Sequence, residues 1–222
     1  MPSKKKKEFP QGNNPKDDPR KFGLKFDGGK SRWDLVPMTE LKTIISVPQT
    51  LINNGLSYEL TMFNMNDIYN ITMHHITEYI LHENQFDLIM TGYLMFYMLR
   101  GKPYTTEEIN ASKAMFRWDL FDINEIQKVV DVYTYGAKLY ADNNWQNVSK
   151  QRYISALLRH FKTVRSKSRF DDESGYLHLH HAIWNVLSLM WISNKEIKAR
   201  HPKAWCSWNI GKLITVTKKA PR

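Results

Sequence analysis

Residues 171–188 read DDESGYLHLHHAIWNVLS, a short acidic turn followed by a helix that is apolar except for one narrow polar stripe. At 3.6 residues per turn, the stripe consists of His178, His181, Asn185 and Ser188. A solvated helix face normally carries lysine and glutamate, whereas imidazole and amide groups suit metal coordination or directed hydrogen bonds. The stripe therefore indicates either a functional site or a hydrogen-bonded contact between helices.

Two regular helical patterns precede this stretch. Apolar residues recur with helical spacing over residues 123–139, and Asp122 or Asn124 is expected to cap that helix. A second helix at roughly 150–166 places His160 on its inward-facing side. Because short links between long helices favour antiparallel packing, we expect an all-α fold, a helical bundle whose interior can hold a metal site.

The preceding part of the chain, residues 47–120, is rich in methionine and aromatic residues and shows no motif that carries chemistry. His74 and His75 are adjacent and therefore do not share a helical face. The helices expected in and just before this region are 38–46, 58–83, 85–100 and 105–117, the first with Thr39 as a candidate cap.

The formal net charge of +10 over 222 residues lies at the two ends of the chain. Residues 1–30 hold nine Lys or Arg against four acidic residues, and residues 195–222 hold eight against one. We predict a disordered basic tail at 1–24, a single all-α domain at 25–200 and a basic C-terminal extension at 201–222. Contact with nucleic acid is expected only through these ends, and a purely solubilising tail is an equally good interpretation.

Other classes of protein are disfavoured by the sequence. No run of about 18 apolar residues offers a transmembrane helix, and no apolar segment follows the N-terminal lysines as it would in a secretory signal. Cys206 is the single cysteine, which excludes a disulfide within the chain and is typical of a reducing compartment. We expect a cytoplasmic protein without a membrane partner.

Four segments in series resemble a known family: FDGGKSRWDLVP at 26–37, YGAKLYADNNW at 135–145, RYISALLRH at 152–160 and DDESGYLHLHHAIWN at 171–185. Together they are similar to the phage-type dATP/dGTP diphosphohydrolases, the MazZ-like branch of the all-α MazG and HisE pyrophosphohydrolase superfamily. The resemblance covers residues 26–44 and 123–192. It implies a homo-oligomeric helical enzyme in the host cytoplasm. Such an enzyme uses Mg2+ or Mn2+ to hydrolyse dATP or dGTP to monophosphate and pyrophosphate, adjusting the nucleotide pool during infection.

Two features depart from the family pattern. About 75 residues separate the DLVP segment from the helix that ends in GAK, so residues 47–120 are interpreted as a helical insertion in a MazG-like bundle. This insertion would be a lid, an oligomer interface or a specificity element. The acidic signature of the superfamily, Glu-x-x-Glu followed by Glu-x-x-Asp, is also absent in plain form, so site residues are assigned from their chemistry.

Cleavage of a phosphoanhydride requires divalent ions, ligands that hold them, a positioned water molecule and cations that bind the phosphates. We assign Asp171, Glu173 and His178 as metal ligands. Catalytic roles are assigned to Glu173, His178 and His160. The expected substrate-binding residues are Lys30, Arg32, Lys138, Asn144, Trp145, Arg159, His181 and Asn185.

Several alternatives stay open at this level. Trp145 is equally well interpreted as a core residue that closes a turn. Asp131 and Glu125 are backup carboxylates for the site, but a solvated helix face is the favoured interpretation of both. A phosphohydrolase that releases intact triphosphate is a second functional hypothesis, disfavoured because no adjacent His-Asp pair occurs. A third is a nucleotide-binding or nucleic-acid-binding helical protein without turnover, which steeply salt-dependent DNA binding would favour.

Overall fold

The computed structural model describes residues 30–56, 64–166 and 169–200. The expected tail at 1–24 and the expected extension at 201–222 lie outside the described residues. Cys206 and residues 26–29, at the start of the first family-like segment, also lie outside them.

The described residues are helical. The α-helices are α1 (Met38–Ile45), α2 (Val47–Asn53), α3 (Met65–His82), α4 (Gln85–Arg100), α5 (Thr106–Asn110), α6 (Ile123–Leu139), α7 (Lys150–Thr163) and α8 (His178–Arg200). Short 3-10 helices lie at Trp33–Leu35, Trp118–Leu120 and Asn144–Asn147. No β-strand occurs within these described ranges, so the expected all-α fold is confirmed. None of the described helices combines the length and the hydropathy needed to cross a membrane.

Side-chain caps mark the start of four of the described α-helices, α3 to α6. The Asp122 side chain accepts a hydrogen bond from the backbone N–H of Asn124, which confirms one of the two expected caps of α6. At α5, Thr105 and Glu108 form a reciprocal capping box. The helix expected at 105–117 nevertheless ends at Asn110, because the guanidinium of Arg117 binds carbonyl oxygens at the end of this helix, including that of Glu108 at 2.6 Å.

The central helix is α8, which packs against α7, α4, α6 and α1. Helix α4 also packs against α3 and α1, and its Leu88, Ile89 and Met95 are fully buried. Residues 47–120, which the sequence led us to treat as an insertion, therefore supply one of the helices that form the core. Helices α4 and α8 are buried against each other. The acidic turn and α7 contact α8 at its N-terminal end.

A histidine and carboxylate cluster beside an aromatic cavity

The acidic turn that precedes α8 is a small closed loop. Phe170 and Leu177 form an isolated antiparallel bridge, and the backbone N–H of His178 donates to the carbonyl of Arg169 at 2.9 Å. Gly175 closes the turn with φ of 74°, a backbone conformation that glycine adopts without strain. The loop therefore fixes the position of Asp171 relative to the first turn of α8.

Three side chains from three elements meet at this point. One ligand atom each of His160 (α7), Asp171 (the turn) and His178 (α8) lies within 4.8 Å of the other two. The Nδ1 atoms of His160 and His178 are 3.0 Å apart. All three side chains are half-buried, so the cluster remains open on one side. Within the part of the chain that the structure describes, this is the group suited to hold a metal ion.

His181 contacts the cluster on its buried side. Its ring stacks on that of His160, with centroids 4.8 Å apart and an angle of 13° between the planes. Ser174 Oγ lies 2.7 Å from His181 Nε2 and donates its proton to Asp171 Oδ1 at 2.9 Å. Since the single hydroxyl proton is used there, Nε2 of His181 carries a proton and donates to Ser174. His181 is thereby fixed in one tautomer and linked to Asp171 through Ser174.

The electrostatics of the cluster favour neutral imidazoles beside an ionised carboxylate. Burial, with the neighbouring His181 and His178, lowers the pKa of His160 to about 4. Burial also lowers the pKa of His181 to about 4, against the opposing effect of Asp171. Partial burial would raise the pKa of Asp171, but its hydrogen bonds from Ser174 outweigh this and lower it. At neutral pH His160 and His181 are therefore uncharged, which is the state in which an imidazole binds a metal.

The donor set fits a divalent ion. Two imidazoles and one carboxylate are ligands that divalent metals accept. The 3.0 Å between the two Nδ1 atoms is a hydrogen-bond distance, and it places both nitrogens close enough to bind one ion. Of the two ions that the resemblance implies, Mn2+ accepts imidazole ligands more readily than Mg2+, which prefers oxygen.

A cavity of about 790 Å3 opens beside the cluster, between α6, α7 and α8. His160, Asp171 and His181 form part of its wall. Its rim includes Leu139 and Tyr140, two large side chains that are 54% and 74% exposed. An aromatic and aliphatic rim of this kind suits the planar face of a ligand such as a nucleobase.

Two buried polar atoms in this wall have no hydrogen-bond partner in the structure. Asn185 is fully buried and donates from Nδ2 to the carbonyl of His181 at 2.6 Å, but its Oδ1 accepts no hydrogen bond. The indole Nε1 of the neighbouring Trp184 is also unpartnered. Because such atoms are costly to bury, one acceptor and one donor on a cavity wall indicate a polar ligand.

Cationic side chains lie on the same wall. Arg159, one of the expected phosphate-binding residues, lines the cavity and is exposed. Arg152, about two helical turns before it on α7, does the same. Asn144 lines the cavity as well. The wall therefore combines cations, amides and the metal-type cluster.

Glu173 occupies a different position from that of Asp171. The structure places it on the cavity wall, exposed to solvent and outside the group formed by His160, Asp171 and His178. The reason is local, since Asp171 accepts from the backbone N–H of Ser174 and is held inward. In this structure His160 takes the place in the ligand cluster that we had assigned to Glu173.

The cavity lining lacks three of the expected substrate-binding residues, Arg32, Lys138 and Trp145. Arg32 is bound to Asp34 and Asp142 at 2.7 and 2.8 Å, and Lys138 is exposed near the end of α6. Trp145 packs edge-on against aromatic rings of the core and is 8% exposed, as expected for a core anchor. Lys30 is exposed at the N-terminal edge of the described residues.

Sequence reasoning missed several participants. Ser174, Arg152 and Trp184 carry no signal beyond their proximity to the expected residues. His180 and Glu125 form a pair at 2.6 Å, and His180 is 1% exposed, so the interpretation of Glu125 as a solvated carboxylate is wrong. His180 Nδ1 accepts from the backbone N–H of Leu177, which leaves Nε2–H to donate to Glu125.

Comparison with known proteins bears directly on this site. A model of the N-terminal region of dATP/dGTP diphosphohydrolases matches residues 105–200, which include α6, α7, the acidic turn and α8. The resemblance to this family is confirmed. A dATP/dGTP diphosphohydrolase of Salmonella phage PMBT28 is 29% identical over 77 residues. That alignment covers 35% of this chain and 27% of the relative, so the chain spans about a quarter of the curated protein it matches.

No solved structure matches the chain. The wider MazG and HisE superfamily stays a prediction. The matched region of the diphosphohydrolase family contains the cluster and the described cavity wall, whereas α1 to α4 lie before it.

Proposed function

We propose that this protein is a Mn2+-dependent hydrolase that converts dATP or dGTP to the monophosphate and pyrophosphate. The observation that carries the proposal is the His160, Asp171 and His178 cluster beside a cavity with unpartnered Asn185. The family match supports the reaction class and the purine deoxynucleotide substrates. The phage origin of the relative supports a role in adjusting the nucleotide pool of an infected cell.

In this proposal the cluster and the arginines bind different parts of the triphosphate. A divalent ion held by His160, Asp171 and His178 would supply positive charge against the phosphate oxygens. Arg152 and Arg159 extend from α7 toward solvent at the cavity and bind the phosphates of the pyrophosphate leaving group. The base enters between the aromatic side chains of the cavity and meets the amide oxygen of Asn185.

Glu173 is the general base of this proposal. It lies on the cavity wall but outside the ligand cluster, so its carboxylate is available to accept a proton from the attacking water. Glu173 therefore keeps the catalytic role that was assigned from the sequence, but it is no longer assigned as a metal ligand.

The reaction is tested with purified protein, each canonical dNTP and rNTP, and Mn2+ or Mg2+, with products resolved by ion-exchange chromatography. We expect monophosphate and pyrophosphate from dATP or dGTP, faster with Mn2+, and no turnover with EDTA. Release of nucleoside and intact triphosphate, or no turnover of any nucleotide, would contradict the proposal.

Two variants separate ligand from base. His178→Ala is expected to abolish both Mn2+ binding, measured by calorimetry, and activity. Glu173→Gln is expected to retain Mn2+ binding and to lose roughly 100- to 10,000-fold in kcat, the range typical of a general base. Loss of Mn2+ binding in Glu173→Gln would return this residue to the ligand set.

A further inference from the structure

A tetrapeptide occurs twice in the chain. Arg-Trp-Asp-Leu stands at 32–35 and again at 117–120, with Arg32 and Arg117 separated by 85 positions. At the same separation, Glu40 corresponds to Glu125 and Val47 to Val132. Each tetrapeptide leads directly into a helix, α1 in the first case and α6 in the second.

The two tetrapeptides have the same local structure. Each Arg binds the Asp two residues later through Nε and Nη2, and each Trp begins a 3-10 helix of three residues. The leucine N–H donates to the arginine carbonyl at 3.1 Å in the first copy and 3.0 Å in the second. Both leucines, Leu35 and Leu120, are buried.

The correspondence continues through α3 and α7 without a change in separation. Asn64 and Ser149 are the N-cap residues of these helices, and His75 corresponds to His160. The buried equivalents along the two helices are Ile68 and Tyr153, Thr72 and Leu157, and Ile76 and Phe161. Both helices therefore turn the same register positions toward the core.

In α4 and α8 the separation increases to 94, because the connection before α8 contains the acidic turn. Thr91 and Asn185 are then equivalent, and both are fully buried. Each donates its side chain to the carbonyl four residues earlier, at 2.8 Å and 2.6 Å. The buried apolar equivalents are Leu88 and Ala182, Ile89 and Ile183, and Met95 and Leu189.

Each tetrapeptide binds the first helices of the other copy. The backbone N–H of Arg32 donates to Thr134 on α6 at 2.8 Å, and Nη1 of Arg117 reaches Gln49 on α2 at 3.5 Å. Gln49 and Thr134 are themselves 85 positions apart. This exchange is reciprocal, as in the isologous interface of a two-fold dimer.

The contact between α4 and α8 also supports a two-fold relation between the copies. A Cβ added at Gly92 would lie 3.2 Å from Cγ1 of Val186, and Val186 is the equivalent of Gly92 at a separation of 94. In a two-fold arrangement, a residue meets its own equivalent only beside the axis. Gly92 and Val186 therefore mark that axis.

We infer that residues 31–97 and 116–191 are diverged copies of one helical unit, and that the first copy serves as the partner of the second within one chain. Only the second copy has the acidic turn; in the first, His75 is paired with Asp87 at 2.7 Å. The described residues thus carry one metal-type cluster, in the second copy, and the face that a single unit would offer to a second copy of itself is already covered. A monomer replaces the homo-oligomer that the resemblance implied.

The test exchanges residues across the inferred axis. Gly92→Val alone places a side chain against Ile44, whose Cδ1 lies 2.5 Å from the Cβ position. Ile44 is equivalent to Val129, which lacks that methyl group. A fourfold variant keeps the composition of the core: Gly92→Val, Val186→Gly, Ile44→Val and Val129→Ile. If the copies are equivalent, this variant restores the same contact with the residues of the two copies exchanged.

We expect Gly92→Val alone to lower Tm by roughly 3–10 °C through overpacking, and the fourfold exchange to return Tm to within about 3 °C of the parent protein. A fourfold variant as unstable as the single one would overturn the equivalence of the copies. If Gly92→Val does not fold, recovery of folding in the fourfold variant provides the same test. Light scattering of the parent protein should give the mass of one chain, 26.2 kDa. A stable dimer would overturn the role of the first copy as an internal partner.

Discussion

Replacement of Asn185 by leucine tests whether its unpartnered oxygen serves a substrate. Asn185 is fully buried, its Nδ2 binds the carbonyl of His181, and its Oδ1 has no partner. Leucine has the same branched shape and number of heavy atoms as asparagine, so the core is expected to accept it without leaving a cavity. The variant removes one hydrogen bond and one unsatisfied acceptor together.

The magnitudes of these two effects decide the sign of the stability change. An unsatisfied buried acceptor costs about 1–3 kcal/mol, and a neutral hydrogen bond contributes about 0.5–1.5 kcal/mol. Asn185→Leu should therefore change the free energy of unfolding by between about −0.5 and +2.5 kcal/mol, and Tm by between about −2 and +10 °C. If the oxygen binds an N–H of the purine base, its loss should lower kcat/KM by roughly 5- to 150-fold.

The assay pairs calorimetric unfolding with pyrophosphate release from dATP and dGTP. The control is Thr91→Val, since Thr91 makes the equivalent bond to Asp87 in the first copy, away from the cavity lining. We expect this control to leave kcat/KM unchanged. A strongly destabilised Asn185→Leu with full activity would refute the reasoning and make Asn185 a structural residue.

Three further predictions concern ionised and buried groups. The pKa values of His160 and His181 are about 4 in the folded chain and 6.5 when unperturbed, so only the unfolded chain binds their protons as pH falls below 6.5. The free energy of unfolding of metal-free protein should therefore decrease from pH 6.5 to about 4, as urea titrations would show. Glu125→Leu should lower it by roughly 1–3 kcal/mol, because the Nε2–H of His180 loses its acceptor in the core. Arg117→Met should lower Tm most, since the guanidinium is fully buried and binds Asp119 and three backbone carbonyls.

Each of these has a matched control. Substitution of both His160 and His181 by glutamine should flatten the pH dependence of unfolding, and an unchanged slope would show that other groups cause it. Glu125→Gln retains an acceptor for His180 and should destabilise the protein less than Glu125→Leu. Arg32→Met removes the equivalent but partly exposed arginine and should have a small effect; equal losses at Arg32 and Arg117 would contradict the argument from burial.

Much of the secondary structure was predictable from the chain itself. Helix α6 was expected at 123–139 and is found there, and α4 was expected at 85–100 and is found there, because periodic apolar residues and capping side chains act locally. The stop of α5 at Asn110 was not predictable in this way. It depends on Arg117, which reaches back to the carbonyls of α5 only when the intervening chain folds over.

The site, like the helices, was predictable from the sequence only in part. The residue types of the acidic turn and the stripe on α8 indicated the chemistry, but not which carboxylate faces the histidines. Asp171 turns inward because the hydrogen bonds of the turn hold it, and Glu173 faces solvent for the same reason. The pairing of Glu125 with His180 joins residues far apart in the chain, so no local pattern reports it.

The sequence by itself determined the positions of several helices, the resemblance to a family and the kinds of side chain available for catalysis, since these depend on neighbours along the chain and on residue identity. Its repeated Arg-Trp-Asp-Leu segments were also visible in the sequence. Only the tertiary structure decided that these segments bind each other's helices and that Gly92 meets Val186. It also decided that His160 takes its place beside Asp171 and His178. The physical reason is that contacts between distant residues are fixed by packing of whole helix faces, which local periodicity does not specify.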